Sequence, residues 1–358
     1  MSDKLKIILA GLGVRGTYWA EVIRRSPRCD VVAYADPNSE AIQRAAARFG
    51  ELPSFETAEE AIAATPEAGA LVLANPPMGR EGQVRAAAAR QMPMLIEKPL
   101  AVSVAEARYL VDITLAADTP LMVGLNFRYL GVTEALMHLI ETRTVGEPAF
   151  ARFTYERYRD GNRPDLNKYP LEMDHPMLWE QSIHHFDLMR YVLGAEPVTV
   201  HCHTWNPPWS MYRDDTNVAA IFIFDNGISV NYQGTWQSGW QVPGFEWRID
   251  CTDGLITQKE QFGALFYANQ ADEALTSVDL PPHERWITET SGLLNAFLGT
   301  VMDDAPLQCS GSDHIRSLAM LEACVISSSE ARSVSIESVL AGAQQPRETI
   351  PKGGDALG

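Results

Sequence analysis

Over roughly the first third of the chain, short apolar runs alternate with longer stretches whose apolar positions recur at helical spacing. Short apolar runs bounded by turn residues are typical of buried strands, and a 3.6-residue period is typical of amphipathic helices. The predicted strands cover residues 6–10, 31–35, 70–74, 94–96 and 121–124. The predicted helices begin near residue 17, cover 39–49, 58–64 and 80–90, and resume after the N-cap candidate Ser103. This alternation predicts a doubly wound parallel sheet, the Rossmann class of α/β fold.

Beyond residue 125 the pattern changes to consecutive β-like runs. Strands are predicted at 149–158, 198–204, 217–224, 228–236 and 246–251, and helices at 133–141, 178–193 and 313–329. The turn Asp225-Asn226-Gly227 between two of these runs is a strong hairpin signal. Strands without intervening helices predict an antiparallel sheet, so we expect a domain at 1–125 and a second α/β domain at 126–358. The Pro- and Gly-containing tail 344–358 is expected to be loose.

Composition excludes several classes of function. The chain has 358 residues, enough for two cores, and a net charge of −17, which argues against nucleic acid and anionic membranes as partners. No apolar run is long enough to span a bilayer, and the first strand follows the N-terminus directly, so we expect a cytoplasmic protein without a signal peptide. The five scattered cysteines predict reduced thiols.

A glycine loop separates the first predicted strand from the first predicted helix. Its residues are Gly11, Leu12, Gly13, Val14, Arg15 and Gly16. In this context G-x-G-x-x-G is the dinucleotide fingerprint: the first glycine permits the tight turn, the second admits phosphate, and the third allows close helix–strand packing. The helix N-terminus offers free N–H groups to a pyrophosphate. The alternative is an ordinary turn without a ligand.

Asp36 ends the second predicted strand, about 20 residues after Gly16, where an acid can accept hydrogen bonds from the adenosine ribose hydroxyls. A carboxylate there repels a 2′-phosphate, and no Lys or Arg follows it in residues 37–39. We therefore expect NAD in preference to NADP, although Arg15 is able to assist a phosphate.

The second chemical motif, Glu97-Lys98-Pro99, follows the fourth predicted strand. Ligands of open α/β sheets bind at the carboxyl ends of the strands, and Pro99 favours an extended backbone at Lys98. The Lys98 ammonium is able to hydrogen-bond a substrate hydroxyl and to stabilise negative charge on its oxygen. The alternative is a solvated lysine in a turn.

A third group lies on the predicted helix 178–193. There Glu180, His184 and Asp187 share one face through i,i+4 and i,i+3 spacing. A carboxylate beside an imidazole orients it and raises its basicity, as oxidation of an alcohol requires. The alternative is a surface Glu–His pair, and we expect the neighbouring His185 to be structural.

No metal site is expected. The segment His201-Cys202-His203 contains metal-ligand residue types, but on a strand the two histidines share one face and Cys202 faces the other. No further ligand with typical zinc spacing is evident in the sequence.

Taken together, these motifs resemble the Gfo/Idh/MocA family, the group of glucose–fructose oxidoreductase and inositol dehydrogenase. The resemblance extends over nearly the whole chain and rests on Gly11–Gly16, Asp36, Asn75-Pro76-Pro77, Glu97-Lys98-Pro99, 124–128, 180–187, Leu193-Gly194 and 297–334. It implies a Rossmann domain followed by an α/β domain with an open, mainly antiparallel sheet. In this family that sheet often forms the oligomer contact, so a homodimer or homotetramer is expected. The implied chemistry is reversible NAD(P)-dependent oxidation of a secondary alcohol, often on a sugar or cyclitol.

The resemblance also implies roles for individual residues. Lys98 matches the catalytic lysine of the E-K-P motif, and His184 matches the histidine that transfers the proton. Glu180 and Asp187 match the first and last acids of the family's D-x-G-x-H-x-x-D segment. Besides the glycine loop and Asp36, the implied cofactor contacts are Asn75, Pro76, Glu97, Lys98 and Arg128.

Three departures from the family pattern leave the substrate open. Glu180 replaces the usual Asp, Ser182 replaces a Gly, and Arg80 stands where a histidine is often found. Two alternatives to a sugar or polyol dehydrogenase remain. One is a non-catalytic regulator of the same fold that binds NAD(H) or a metabolite. The other is a reductase of an aldose, ketose or imine.

Overall fold

The computed structural model describes residues 4–164 and 166–343. Within them the chain builds two sheets, one with six strands and one with nine. The six-stranded sheet draws its strands from residues up to 123, and the nine-stranded sheet begins at residue 148. A domain boundary between 125 and 126 stays a prediction, and the tail 344–358 lies outside the described residues.

The first sheet is parallel throughout, with strand order β3-β2-β1-β4-β5-β6. Its strands are β1 (Leu5–Ala10), β2 (Cys29–Ala35), β3 (Ser54–Phe55), β4 (Ala70–Leu73), β5 (Met94–Ile96) and β6 (Leu121–Val123). The apolar side chains of β4, β5 and residues 7–10 of β1 are almost completely buried, as a sheet covered on both faces requires. Strand order reverses between β1 and β4, which opens a crevice at their carboxyl ends.

Helices connect these strands. They are α1 (Val14–Arg25), α2 (Ser39–Phe49), α3 (Ala58–Ala64), α4 (Glu81–Ala89) and α5 (Val104–Ala116). Polar caps start several of them: Ser103 accepts the N–H of Glu106 at the start of α5, and Thr57 and Glu60 form a reciprocal capping box at α3. The predicted alternation of strand and helix is confirmed.

The second sheet has strand order β14-β13-β12-β11-β7-β10-β9-β8-β15. Its strands are β7 (Pro148–Glu156), β8 (Pro197–Trp205), β9 (Asn217–Phe224), β10 (Ser229–Thr235), β11 (Gly244–Cys251), β12 (Gly254–Glu260), β13 (Gly263–Asn269), β14 (Thr276–Ser277) and β15 (Val334–Ser335). All neighbours are antiparallel except β7 and β10. The prediction of a mainly antiparallel sheet is therefore confirmed.

The helices of this second part are α6 (Gly131–Glu141), α7 (Ile183–Leu193), α8 (Thr288–Asp303), α9 (Gly311–Glu330) and α10 (Ile336–Gly342). A π-helical turn, Leu178–Ser182, leads directly into α7. The helices α8 and α9 return to the first sheet, where α8 packs on α1 and α9 packs on α5. Their return fixes the second part of the chain against the first.

Two expectations concern the whole chain. None of the described helices is long and apolar enough to cross a membrane. All five cysteines are free thiols, as their scattered spacing predicts.

Candidate active site

A cavity of about 510 Å³ lies at the carboxyl ends of the first-sheet strands. Its lining includes Asp36 from the first part of the chain and Glu180 from the second, so both parts contribute to its wall. Predicted site residues that line it are Gly11, Gly13, Val14, Arg15, Asp36, Asn75, Pro76, Glu97, Lys98 and Glu180. The structure therefore brings most of the predicted site residues into one cavity.

The glycine loop has the geometry that its motif predicts. Gly11 has φ +87°, and a Cβ there would lie 2.7 Å from the backbone of Ala74. A Cβ on Gly16 would lie 1.8 Å from the carbonyl oxygen of Gly11. A Cβ on Gly13 would instead point into open space, with Asn167 Oδ1 its nearest neighbour at 4.0 Å. Gly13 therefore leaves room beside the free N–H groups of α1, which fits a dinucleotide pyrophosphate.

Two backbone N–H groups fix the Asp36 side chain, which lines the cavity. Its Oδ2 accepts from Leu12 N at 2.6 Å, and its Oδ1 accepts from Asn38 N at 2.8 Å. Since the carboxylate lines the cavity, its orientation fits acceptance of a hydrogen bond from a ribose hydroxyl.

Glu97 joins the glycine loop to the E-K-P turn. Its Oε1 accepts from Arg15 Nε at 2.9 Å, from Arg15 Nη2 at 2.7 Å, and from Trp19 Nε1 at 2.8 Å. Glu97 is buried, so this charge-assisted cluster holds the two predicted cofactor segments together. Sequence reasoning placed both Arg15 and Glu97 near the cofactor but did not anticipate their pairing or the part of Trp19.

Lys98 and Glu180 both line the cavity and contact each other. Lys98 Nζ donates to the Glu180 carbonyl oxygen at 2.8 Å and lies 3.4 Å from Glu180 Oε2. Their side chains are only 12% and 13% exposed. Opposite charges in such a poorly solvated position attract each other more strongly than they would at the surface. The pair unites two predicted catalytic residues that lie 82 positions apart in the sequence.

Tyr169 lies beside this pair and was not predicted. It lines the cavity on a short 3₁₀ turn, Tyr169–Leu171. Burial and the neighbouring Glu180 carboxylate raise the pKa of Tyr169 well above its usual value, so the phenol is neutral and is a donor. Asn167 lines the same wall, opposite the glycine loop. The segment that carries both residues shows no strand or helix period, which explains why sequence patterns did not find them.

His184 is buried and its ring is held by packing. The imidazole stacks on Phe127 with ring centres 4.1 Å apart and an interplanar angle of 17°. Its Nδ1 is buried without a hydrogen-bond partner among the described residues. Burial, followed by the nearby Lys98 charge, lowers the pKa of His184 well below 6.5, so the ring is neutral at neutral pH. His184 is not among the side chains that line the cavity.

The three side chains expected on one helix face do not form one cluster. Glu180 lies in the π-helical turn, whose wider spacing displaces it from the α-helical row that carries His184 and Asp187. Glu180 pairs with Lys98, whereas Asp187 accepts from Arg128 Nε at 2.7 Å and Arg128 Nη2 at 2.6 Å. The expectation that a carboxylate of this segment contacts the His184 ring is not met.

Arg128 is engaged away from the cavity. Besides Asp187 it donates to Asp313 Oδ2 at 2.8 Å, and its guanidinium lies 4.7 Å from the ring centre of Tyr191. It does not line the cavity. A direct contact between Arg128 and the cofactor stays a prediction. Its ion pairs with Asp187 and Asp313 connect α7 to α9.

His185 behaves as a packing residue. It is buried, and its Nδ1 lies 2.9 Å from the Tyr232 hydroxyl. Burial lowers the pKa of His185 to about 3. Ser182, the departure from the family glycine, lies 2.8 Å from the same tyrosine hydroxyl. These contacts agree with the structural role expected for His185.

Metal-ligand residue types also occur outside the cavity. His201 and His203 lie exposed on β8, and Cys202 is buried on its opposite face, as strand alternation requires. His175, Asp214 and Asp215 present possible ligand atoms within 4.8 Å of one another. All three are partly exposed side chains, and we assign no metal to them.

Both parts of the chain match models of known protein families. Residues 5–125 match the model described as the oxidoreductase family with an NAD-binding Rossmann fold. Residues 133–257 match the model of the GFO/IDH/MocA C-terminal domain.

Individual relatives are distant. The uncharacterized protein y4oX of Sinorhizobium fredii is 27% identical over 64% of this chain and 65% of its own length. A D-apiose dehydrogenase of Rhizobium rhizogenes is 26% identical over 72% of this chain and 76% of its own. An inositol 2-dehydrogenase of Rhizobium meliloti is 23% identical over 92% of this chain and 98% of its own.

Solved structures share the fold. An oxidoreductase from Agrobacterium radiobacter, solved with NAD⁺, L-tartaric acid and magnesium, superposes with a TM-score of 0.84 at 22% identity, covering 94% of this chain and 99% of that one. An aldose–aldose oxidoreductase from Caulobacter crescentus, solved with glycerol, gives a TM-score of 0.80 at 16% identity, covering 93% of this chain and 100% of that one.

Proposed function

Because the chain belongs to the Gfo/Idh/MocA family of NAD-binding oxidoreductases, we propose that it catalyses the reversible oxidation of a secondary alcohol on a sugar, sugar derivative or cyclitol. The observation that carries the proposal is that the Lys98–Glu180 pair and the glycine loop line the same cavity. Relatives named as D-apiose and inositol dehydrogenases support the substrate class.

The proposed cofactor is NAD. The residues that would hold its phosphates are those of the glycine loop, Gly11–Gly16, and Asp36 would hold the adenosine ribose. The fixed Asp36 carboxylate favours NAD over NADP because it repels a 2′-phosphate. When bound, NAD⁺ would supply the acceptor for the hydride of the substrate carbinol.

Lys98 is proposed to act on the reacting oxygen. Its ammonium donates a hydrogen bond to the substrate hydroxyl and stabilises the negative charge that develops as the proton leaves. Glu180 holds this ammonium in place through its backbone carbonyl oxygen and its carboxylate.

His184 is proposed as the proton acceptor. A base must be unprotonated before it acts, and burial keeps the His184 imidazole neutral at neutral pH. The stacked Phe127 ring, rather than a carboxylate, sets the plane of the imidazole.

The test is NADH absorbance with NAD⁺ or NADP⁺ and a panel of inositols, aldoses, sugar acids and anhydrosugars. We expect reduction of NAD⁺ with at least one inositol or aldose, and much weaker reduction of NADP⁺. No reduction with any substrate, in spite of NAD⁺ binding measured by calorimetry, would contradict the proposal and favour a binding-only protein.

A further inference from the structure

A buried arginine lies directly behind the predicted catalytic turn. Arg80 has no solvent exposure and precedes α4, at the end of the turn that follows β4. Burial lowers the pKa of Arg80 to about 10, so its guanidinium remains charged at neutral pH. Among the described residues no carboxylate forms a salt bridge with Arg80. Its guanidinium donates hydrogen bonds to oxygen atoms of two turns instead.

The first of these turns is the E-K-P turn. Arg80 Nη1 donates to the carbonyl oxygens of Glu97 at 2.7 Å, Pro99 at 2.7 Å and Leu100 at 3.2 Å. Glu97 and Pro99 flank Lys98 on either side. One nitrogen therefore holds the Glu97–Lys98 peptide group and the Pro99–Leu100 peptide group, on the two sides of the residue whose ammonium reaches Glu180.

The second turn carries Asn75. Arg80 Nη2 donates to the Asn75 carbonyl oxygen at 2.5 Å, and Arg80 Nε donates to Asn75 Oδ1 at 3.2 Å. Asn75 in turn donates its amide to Gln83 Oε1 at 3.0 Å, so the orientation of the Asn75 amide is determined on both sides. Both Asn75 and Gln83 line the cavity.

We propose that Arg80 is a positioning residue for alcohol oxidation: its guanidinium fixes the direction of Lys98 and of Asn75 at the same time. This inference rests on the proposed function for its kinetic consequence, but the effect on Lys98 is independent of any substrate. A guanidinium suits the task because its planar fork of N–H donors reaches several carbonyl oxygens in fixed directions.

Two substitutions of Arg80 remove part or all of its hydrogen bonds. Arg80→Lys keeps the charge and donors on one nitrogen, so it is able to hold part of the E-K-P turn but not the Asn75 amide. Arg80→Met keeps the length and removes every donor. We expect kcat to fall about 10-fold in Arg80→Lys and about 100-fold or more in Arg80→Met, with a smaller loss of NAD⁺ affinity, because the glycine loop and Asp36 are not among the hydrogen-bond partners of Arg80.

The matched control is Arg85→Met, on the same helix, where the guanidinium is exposed and pairs with Glu81. It should leave kcat unchanged. A purely structural role for Arg80 would lower the melting temperature while kcat per folded enzyme stayed constant, so both quantities are measured for each variant.

A second readout needs no substrate. Lysines are labelled with pyridoxal 5′-phosphate and borohydride, and the labelling of Lys98 relative to the exposed Lys259 is measured by peptide mass spectrometry. We expect this ratio to rise at least threefold in Arg80→Lys, because a released Lys98 spends less time bonded to Glu180. A wild-type enzyme without activity would contradict the proposed function yet leave this readout intact.

Unchanged kcat in Arg80→Lys together with an unchanged labelling ratio would overturn the inference. If Arg80→Met fails to fold, the Arg80→Lys variant and its labelling ratio decide the matter alone.

Discussion

The Glu180 carboxylate lies in a poorly solvated position beside the Lys98 ammonium. It faces Lys98 across 3.4 Å, and burial of both side chains strengthens the attraction between them. Lys98 also holds the backbone carbonyl of Glu180, so part of the contact does not depend on the carboxylate charge. The charge and the position of Glu180 are therefore separable by mutation.

Glu180→Gln removes the charge and preserves the shape. We expect kcat/KM for the polyol substrate to fall about 10- to 100-fold, because Lys98 loses its opposite charge. Steady-state kinetics measure the effect. The exposed Glu172→Gln, eight positions earlier, is the control and should leave kcat/KM unaltered.

At Asp36 the prediction concerns cofactor choice. Asp36→Asn removes the negative charge and keeps an acceptor oxygen for one of the two backbone N–H groups, of Leu12 or of Asn38. The ratio of kcat/KM for NAD⁺ to kcat/KM for NADP⁺ should fall at least about 10-fold, since the 2′-phosphate is no longer repelled. The exposed Asp30→Asn serves as control, and an unchanged ratio in Asp36→Asn would refute this basis for selectivity.

Residues in short local motifs could be predicted from the sequence, and residues brought in by distant chain segments could not. The glycine loop, Asp36 and Lys98 each follow a strand with a recognisable pattern. Tyr169 and Asn167 reach the cavity from a segment without periodicity. The ion pairs of Arg128 could not be predicted for the same reason, because Asp187 and Asp313 lie 59 and 185 positions away in the sequence.

Among the elements, α1 shows how a helix start prepares a binding site. Gly13 is its N-cap and supplies no side-chain cap, so the first N–H groups face outward without an internal acceptor. The neighbouring Gly11 and Gly16 are required for a different reason, since each is packed against backbone atoms.

Substitution of single glycines separates these two reasons. Gly13→Ala should weaken NAD⁺ binding at least about 10-fold while the free energy of unfolding changes by less than about 1 kcal/mol, because its Cβ meets no atom closer than 4.0 Å. Gly11→Ala should destabilise the fold by about 2 kcal/mol or more, because of its positive φ and backbone contact. Calorimetry measures NAD⁺ affinity, and urea unfolding measures the free energy of unfolding. If Gly13→Ala bound NAD⁺ as tightly as the wild type, Gly13 would not be part of the binding site.

Elements with strong periodicity were predicted to within a few residues. The hairpin between β9 and β10 formed at Asp225–Gly227, where Gly227 adopts φ +84°. The two-residue strands β3, β14 and β15 were missed because they are too short to show alternation. The strands β12 and β13 and the helix α8 were missed as well. The π-helical turn before α7 was read as α-helix, since the sequence carries no local signal for it.

At the scale of the whole molecule, buried histidines make stability depend on pH. His314 is fully buried and accepts the N–H of Leu100 through Nε2, and burial lowers its pKa to about 4. The unfolded chain binds a proton near pH 6.5 and the folded chain does not, so the stabilisation is complete above about pH 6.5 and is lost as pH falls toward 4.

For His314 alone this loss amounts to about 3 kcal/mol. We expect the free energy of unfolding, measured in urea, to decrease between pH 7 and pH 4.5, and His314→Asn to show a smaller decrease. Asn is able to accept the Leu100 N–H but does not titrate. A decrease of equal size in wild type and His314→Asn would show that His314 is not a source of the pH dependence.

The arrangement of the chain explains why one cavity is lined by residues from both of its parts. The helices α8 and α9 return to the first sheet, and the backbone N–H of Val123 in β6 donates to Cys309 just before α9. This return holds the Glu180 segment over the strand ends that carry Lys98. The central claim, hydride transfer beside Lys98 in that cavity, therefore depends on both parts of the chain.

The most direct measurement of this claim compares wild type with Lys98→Met in a single turnover, at saturating NAD⁺ and with an active polyol from the panel. We predict that NADH formation slows by about 10³-fold in Lys98→Met, while the calorimetric Kd for NAD⁺ changes less than about threefold. An NADH formation rate in Lys98→Met within about twofold of wild type would contradict the account.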